Sequence, residues 1–327
     1  MNYQELGPEI QRANKIVIIQ AENPDGDSLS SSLALEEIFG DIGKEVHLYC
    51  PVQIPRHLRF LSGWDRVNDE LPNDFNMSVI VDTSSQTLLE RVFTSEQLPR
   101  LRARPTLVID HHDVEVDLPY HTLTCIDHKA VATGEVIYQL AKNLELPISL
   151  EAAEFISQSI MFDSLGLISD DTTPQSIEIV ADLVRRGVSL ARLDAQRREL
   201  MRKSYDLVQY KAQLLTRIEL HGDEQIATIT IPWEEIEQFS DQYNPSMLVI
   251  DEMRLIDNVK VACAFKVYPD GKVTGKIRAN YGTPIAAKVA EAMGGGGHQY
   301  AAGFKTRGQT IDEVRNEFIK ITLENLE

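Results

Sequence analysis

Cysteine is scarce, and the little there is excludes two classes of protein. The 327 residues include Cys50, Cys125 and Cys263, odd in number, widely spaced and set in apolar surroundings. They form neither a disulfide framework nor a zinc site and read as small core residues. No apolar run comes near the roughly 18 residues of a membrane span. The opening Met1-Asn2-Tyr3-Gln4-Glu5 lacks the basic-then-apolar pattern of a secretory leader, so a cytoplasmic protein with no membrane partner is expected. Positive charge is also short: 32 Lys and Arg stand against 50 Asp and Glu, a net charge of -18. Nucleic-acid binding along an extended track neutralises many phosphates with Lys and Arg, so this balance argues against duplex or long single-stranded partners. A nucleotide ligand should be short and held in a local pocket. Internal repeats are absent, and low complexity is confined to Gly294-Gly295-Gly296-Gly297.

What is present is a rhythm of buried-type strands that end in acids and imidazoles. Lys15-Ile16-Val17-Ile18-Ile19 leads into Asn23-Pro24-Asp25-Gly26-Asp27, Ser78-Val79-Ile80-Val81 ends in Asp82, and Thr106-Leu107-Val108-Ile109 ends in Asp110-His111-His112. Helical patterns alternate with these strands, beginning with Ser28 to Gly40, and a further helix is expected near Pro55 to Leu61. Such alternation predicts an α/β domain with a parallel sheet and helices on both faces. From Ala132 onward the pattern is mainly helical, and the polar stretch from Ser189 to about Gln213 reads as a connector helix. Beyond it the period changes to hairpins, one of them across Tyr268-Pro269-Asp270-Gly271, so a smaller α+β domain follows. The expected division is 1–188, a connector at 189–213, and 214–327. At this length two domains are the better expectation.

In a parallel sheet the C-terminal strand ends share one edge, where ligands bind. That edge would gather Asp25, Asp27, Asp82 and His111, joined by Asp163 from the apolar helix Leu150 to Leu165. An isolated Asp-Gly-Asp is more often a surface turn, and Asp163 could be a helix cap. A carboxylate in an apolar helix is costly unless paired or bound to a cation. Oxygen ligands with imidazole and without cysteine suit Mn²⁺ or Mg²⁺ rather than zinc. Two such ions would serve hydrolysis of a phosphate ester.

In their order and spacing, Asn23-Pro24-Asp25-Gly26-Asp27-Ser28-Leu29, Val81-Asp82, Asp110-His111-His112 and Asp163 resemble the DHH superfamily of phosphoesterases. Gly294-Gly295-Gly296-Gly297-His298-Gln299-Tyr300-Ala301-Ala302-Gly303 is similar to the glycine-rich signature of the DHH-associated domain. The resemblance is to the branch of oligoribonucleases and 3′-phosphoadenosine 5′-phosphate phosphatases, which includes enzymes acting on cyclic dinucleotides. It implies that Asp25 binds a first metal and Asp27 a second, that Asp82 bridges them, and that His111 and Asp163 complete the second site. His112 would hydrogen-bond the scissile phosphate, with Asp110 orienting it. Asp171-Thr172-Thr173-Pro174 matches an Asn-Thr-Thr-Pro region of the family, with Asp in place of Asn. Where that branch places a metal-ligating histidine, four residues before Asp25, this chain has Ala21, so the first site should be weakened. RecJ-type exonucleases also lack that histidine.

The glycine run sits between a helix and the apolar Ala301-Ala302-Gly303-Phe304, and the N–H groups of such a loop could cradle a phosphate, with His298 as a further donor. Arg278 matches a family arginine and could grip a terminal phosphate. Arg278, Gly295, Gly296, Gly297 and His298 are therefore the expected substrate-binding residues. The expected activity is Mn²⁺-dependent hydrolysis of dinucleotides such as pApA or pGpG, cyclic dinucleotides or nucleotide bisphosphates, and a homodimer is left open. The competing readings are a nucleotide-binding regulatory protein that has kept the pocket, and a RecJ-like single-strand exonuclease.

Overall fold

The computed structural model describes residues 3–120, 122–200 and 202–326. The chain forms two compact units, Met1–Arg202 and Lys203–Glu327. The first is built on β1 (Lys15–Ile19), β2 (Glu45–Tyr49), β3 (Val67–Asn68), β4 (Met77–Val81), β5 (Thr106–Asp110) and β6 (Leu123–Ile126), all parallel, in the order β3-β2-β1-β4-β5-β6. β4 and β5 are buried at every position, as strands covered on both faces must be. The helices are α1 (Tyr3–Arg12), α2 (Gly26–Asp41), α3 (Gln97–Arg102), α4 (Thr133–Asn143), α5 (Leu150–Asp163), α6 (Pro174–Arg185) and α7 (Leu190–Leu200).

One sheet face, with Ile16, Ile18, Val79 and Ile109, packs against apolar residues of α1, α2, α4, α5 and α6. The other, with Val17, Ile19, Ile80 and Val108, is covered by α3 through Leu101 and by irregular segments carrying Leu71, Phe75, Leu89 and Val92. Strand order reverses direction between β1 and β4, which opens a crevice at their C-terminal ends. The helix expected near Pro55 to Leu61 is a single 3-10 turn, Arg56–Leu58, inside a loop tied by Arg59 Nε donating to the Ile54 carbonyl at 3.0 Å.

In the second unit α8 (Tyr205–Leu215), α9 (Trp233–Phe239), α10 (Ile250–Arg254), α11 (Ala286–Ala292) and α12 (Ile311–Leu326) surround one mixed sheet. Its strands are β7 (Glu219–His221), β8 (Ile226–Ile231), β9 (Val261–Val267), β10 (Lys272–Ala279), β11 (Gly296–His298) and β12 (Ala301–Arg307). Their order is β11-β12-β10-β9-β8-β7, antiparallel except for the β8–β9 pair. The connector expected at 189–213 is two helices rather than one. Each has its own apolar stripe: Leu193 of α7 joins the first unit's core, whereas Leu207, Tyr210 and Leu214 of α8 join the second's.

α4 and α5 meet at Gly134, whose N–H donates to Ser159 Oγ at 2.8 Å. A Cβ there would lie 2.2 Å from Ser159 Oγ and 3.1 Å from the Ile156 carbonyl. Gly134→Ala should therefore destabilise the protein by about 1–3 kcal/mol, the usual cost of overpacking. A melting temperature equal to the parent's would contradict this packing.

Candidate active site

The edge of the first sheet gathers its acids around one imidazole nitrogen. His111 follows β5, and its Nδ1 donates to the Ala130 carbonyl at 3.2 Å, which leaves the Nε2 lone pair facing inward. Nε2 is buried and has no hydrogen-bond partner among the described residues. Around it lie Asp163 Oδ2 at 3.3 Å, Asp82 Oδ1 at 3.6 Å and Asp27 Oδ2 at 3.7 Å. These carboxylates come from the end of α5, the residue after β4 and the first turn of α2.

Asp27 is fully buried, and the fold holds it from several sides. Its Oδ1 accepts from Ser159 Oγ at 2.5 Å and Ser31 Oγ at 2.9 Å, and its Oδ2 accepts from the Thr133 N–H at 2.8 Å. The Thr133 N–H is one of the donors a helix start leaves unsatisfied, and Ala132 before it offers no capping side chain. The Asp27 carboxylate thus completes the N-terminus of α4. Asp82 takes a left-handed conformation, φ 60, a strained state for a residue with a Cβ. Its Oδ1 accepts from Thr133 Oγ1 at 3.0 Å. Ser31, Thr133 and Ser159 were not among the expected site residues, although the polar run Ser157-Gln158-Ser159 in an otherwise apolar helix was a signal.

Crowding sets the charge states. Burial, together with the Asp163 charge, raises Asp27 to about 6. Burial and the charges of Asp27, Asp25 and Asp163 raise Asp82 well above the usual carboxylate range. Burial works against a charged His111, yet Asp163 and Asp27 outweigh it and lift the imidazole to about 9. The residues fit a divalent cation, since a ring nitrogen and three carboxylates converge where only the His111 proton offsets the acids' charge. Ligand atoms of Asp27, His111 and Asp163 lie within 4.8 Å of one another, as do those of Asp82, His111 and His112.

Asp25 is in neither group. It is exposed and caps α2, with Oδ1 accepting from the Ser28 N–H at 2.9 Å while Ser28 Oγ accepts the Asp25 N–H at 2.9 Å. Ala21 is buried and its carbonyl accepts from Cys50 Sγ at 3.4 Å. Its neighbour Glu22 turns away to Arg91, at 3.3 Å between Oε2 and Nε.

Asp110 Oδ1 accepts from the backbone N–H groups of His111 and His112, at 2.8 and 3.2 Å, and from His112 Nδ1 at 2.7 Å. Burial opposes the Asp110 charge, but the His112 contacts prevail and lower its pKa, while that bond raises His112. His112 borders a cleft of about 540 Å³ also lined by His111, His128, Lys129, Thr172 and Thr173. A groove of similar size, about 570 Å³, lies against Glu5, Pro8 and Leu123 and carries no imidazole or cation.

In the second unit the glycine run is not the loop that the sequence suggested. Gly296–His298 is β11, an edge strand paired to β12, because an added Cβ at Gly295 would lie 2.1 Å from the Gly303 carbonyl and one at Gly297 2.5 Å from Ala302 Cα. An edge strand still presents backbone groups that no neighbour uses. Pairing sets Arg278 opposite Ala301, and Ala301 opposite His298, so the two basic residues share one face.

Residues 15–161 match the DHH family, N-terminal domain, and residues 236–324 match the DHHA1 domain. The chain thus carries a DHH N-terminal domain followed by a DHHA1 domain. It is 26% identical to a bifunctional oligoribonuclease and PAP phosphatase NrnA of Thermus thermophilus, over 95% of this chain and 90% of that one. It is 23% identical to a probable bifunctional oligoribonuclease and PAP phosphatase NrnA of Streptococcus mutans, over 97% and 96% of the two chains. An exopolyphosphatase-related protein from Bacteroides fragilis has the same fold, with a TM-score of 0.81 at 21% identity over 99% and 97% of the two chains.

Without metal, the folded protein holds the His111 proton more tightly than the unfolded chain, about 9 against 6.5. The resulting stability is complete below pH 6.5 and lost as the pH rises through 9, on the order of 3 kcal/mol. Asp27, raised to about 6, acts in the same direction at lower pH. The metal-free protein should therefore melt at lower temperature as the pH rises from 6.5 to 9, and His111→Asn should flatten that slope. Parallel melting curves for the two proteins would contradict the arrangement.

Proposed function

We propose that this chain is a divalent-cation-dependent phosphoesterase that hydrolyses very short oligonucleotides, dinucleotides such as pApA or pGpG, or nucleoside bisphosphates such as 3′-phosphoadenosine 5′-phosphate. The reading is carried by the His111 Nε2 lone pair ringed by Asp27, Asp82 and Asp163. End-to-end similarity to two NrnA proteins supports the substrate class. Asp27, His111 and Asp163 would hold one cation, and Mn²⁺ suits their mixed oxygen and imidazole donors. Asp82, which also feels the Asp25 charge, would be shared with a second, thinner site. Bound cations polarise the attacking water and neutralise charge on the phosphoryl oxygens.

The chain's own groups do the positioning. Ser31, Ser159 and Thr133 fix the Asp27 carboxylate, and the Ala130 carbonyl fixes the His111 tautomer. His112, anchored through Nδ1 to Asp110, would offer Nε2–H to a phosphoryl oxygen and stabilise the charge that develops there. Arg278, His298 and the outer backbone groups of Gly295, Gly296 and Gly297 would grip a phosphate that does not react.

Product analysis with Mn²⁺ on pApA, pGpG, a cyclic dinucleotide, 3′-phosphoadenosine 5′-phosphate and a long single strand tests the reading. Turnover should be fastest on the short linear substrates, and Asp82→Ala should lower it by at least about 10²-fold with the fold intact. Tight nucleotide binding without turnover would instead make the chain a regulatory binder, and a rate that climbs with length would make it an exonuclease.

Ala21 sets a second test. Ala21→His should shift Mn²⁺ activation to lower concentration, because it adds a donor to the thinner site. An unchanged activation midpoint in a folded variant would mean that this site does not limit turnover.

A further inference from the structure

One short segment of the first unit reaches most of the acids and imidazoles at the sheet edge. Residues 127–133 connect β6 to α4 and lie against the ends of β4 and β5. The Asp127 N–H donates to the Asp110 carbonyl at 3.2 Å, and His128 Nδ1 donates to the His112 carbonyl at 2.6 Å. The Ala130 carbonyl accepts from His111 Nδ1, and Thr133 donates to Asp27 through its N–H and to Asp82 through its hydroxyl. His128, Lys129 and Val131 of this segment line the cleft beside His112, and Thr172 and Thr173, at the start of α6, line it too.

A buried acid that no step described above uses joins these two parts of the cleft. Glu135, in the first turn of α4, is 2% exposed, and its Oε1 has no hydrogen-bond partner among the described residues. The groups that hydrogen-bond its carboxylate are the Ser176 hydroxyl and the Val131 N–H. Burial outweighs both bonds, and with the Asp127 charge it raises the Glu135 pKa against the pull of His111. Ser176 is itself tied to the cleft, since its Oγ accepts from the Thr173 N–H at 3.1 Å and Thr173 Oγ1 accepts from the Ser176 N–H at 3.1 Å. The Val131 N–H belongs to the same peptide group as the Ala130 carbonyl. That group is planar and rigid, so fixing its N–H end fixes the direction of its carbonyl end, which holds His111 Nδ1.

We propose that Glu135 is a positioning residue, which clamps the Ala130–Val131 peptide against α6 and thereby holds the His111 ring with Nε2 facing Asp27, Asp82 and Asp163. The inference rests on the proposed function and adds a residue to it. A hydrogen bond at the N–H end also polarises the carbonyl and strengthens its hold on the imidazole. A buried carboxylate with one oxygen unpartnered is unfavourable for the fold, so an apolar residue of similar size relieves desolvation while it orphans the Val131 N–H, and the two effects oppose each other. Stability and site geometry therefore respond differently to its removal.

The test is calorimetric Mn²⁺ binding to the full chain freed of metal, with thermal melting in EDTA and steady-state turnover of pApA measured in parallel. Glu135→Met should weaken the tighter Mn²⁺ site about 10–10²-fold, the usual effect of losing a group that orients a metal-binding histidine. Its melting temperature should stay within a few degrees of the parent's. Turnover at limiting Mn²⁺ should fall in step, while the KM for pApA holds, because buried Glu135 does not reach the substrate. Glu135→Gln keeps an oxygen that can accept from the Val131 N–H and should retain parental Mn²⁺ affinity. Should the Met variant not fold, Glu135→Leu carries the same expectation. Parental Mn²⁺ affinity in a folded Met or Leu variant would overturn the proposal, and so would a Gln variant as weak as either. Absence of pApA turnover in the parent, alongside Mn²⁺ binding that the Met variant weakens and the Gln variant keeps, would sink the hydrolytic reading and leave the clamp standing.

Discussion

Everything at the sheet edge answers to one electrostatic problem, which is how to keep carboxylates buried together around a single imidazole nitrogen. Asp27 and Asp82 are buried and lie beside Asp163, and each raises the cost of ionising another. Water cannot offset this, so the fold supplies donors instead. The Ser31 and Ser159 hydroxyls and the Thr133 N–H spend themselves on Asp27, and Thr133 Oγ1 on Asp82. These donors orient the acids without neutralising them. A charge of opposite sign is still needed, and the site offers two sources: the His111 proton or a cation in its place.

That exchange also explains local features with no other purpose. Asp82 is left-handed because the chain must turn its carboxylate inward directly after a fully buried strand. Gly134 is bare because Ser159 has to reach past it to Asp27. α4 begins without a side-chain cap because a carboxylate from another helix fills that role. Each concession weakens the fold locally, and together they hold the carboxylate and imidazole atoms in place.

Much of this was legible in the sequence. Asp82 and His111 follow buried strands, Asp27 stands at a helix start, and Asp163 interrupts an apolar helix, so local pattern alone placed them on one edge. What stayed hidden depends on contacts between distant segments. Nothing in Thr133 or Ser159 says that they will meet Asp27, 106 and 132 positions away. That Asp25 would cap α2 through one oxygen, with the Ser28 N–H as its donor, is a helix-start preference that its neighbour Asp27 does not share. The glycine run read as a loop because propensity cannot show that Gly295 and Gly297 lie against the backbone of β12. One connector helix became two because hydrophobic stripes on either side of position 201 face different cores.

A total of -18 is true of the chain and says little about any one face of it. Lys266, Lys276, Arg278 and Lys305 are spread over 40 positions of sequence, yet strand pairing brings them together while the intervening apolar residues turn to the core. The first unit concentrates acid where a cation is needed, and the second concentrates base on a sheet face. An excess of acid elsewhere then has its own effect, since it repels polyanions from the remaining surface. The sign of the whole and the sign of the site are set by different constraints, solubility for one and ligand chemistry for the other. Only the register of β9, β10 and β12 connects the sequence to the second.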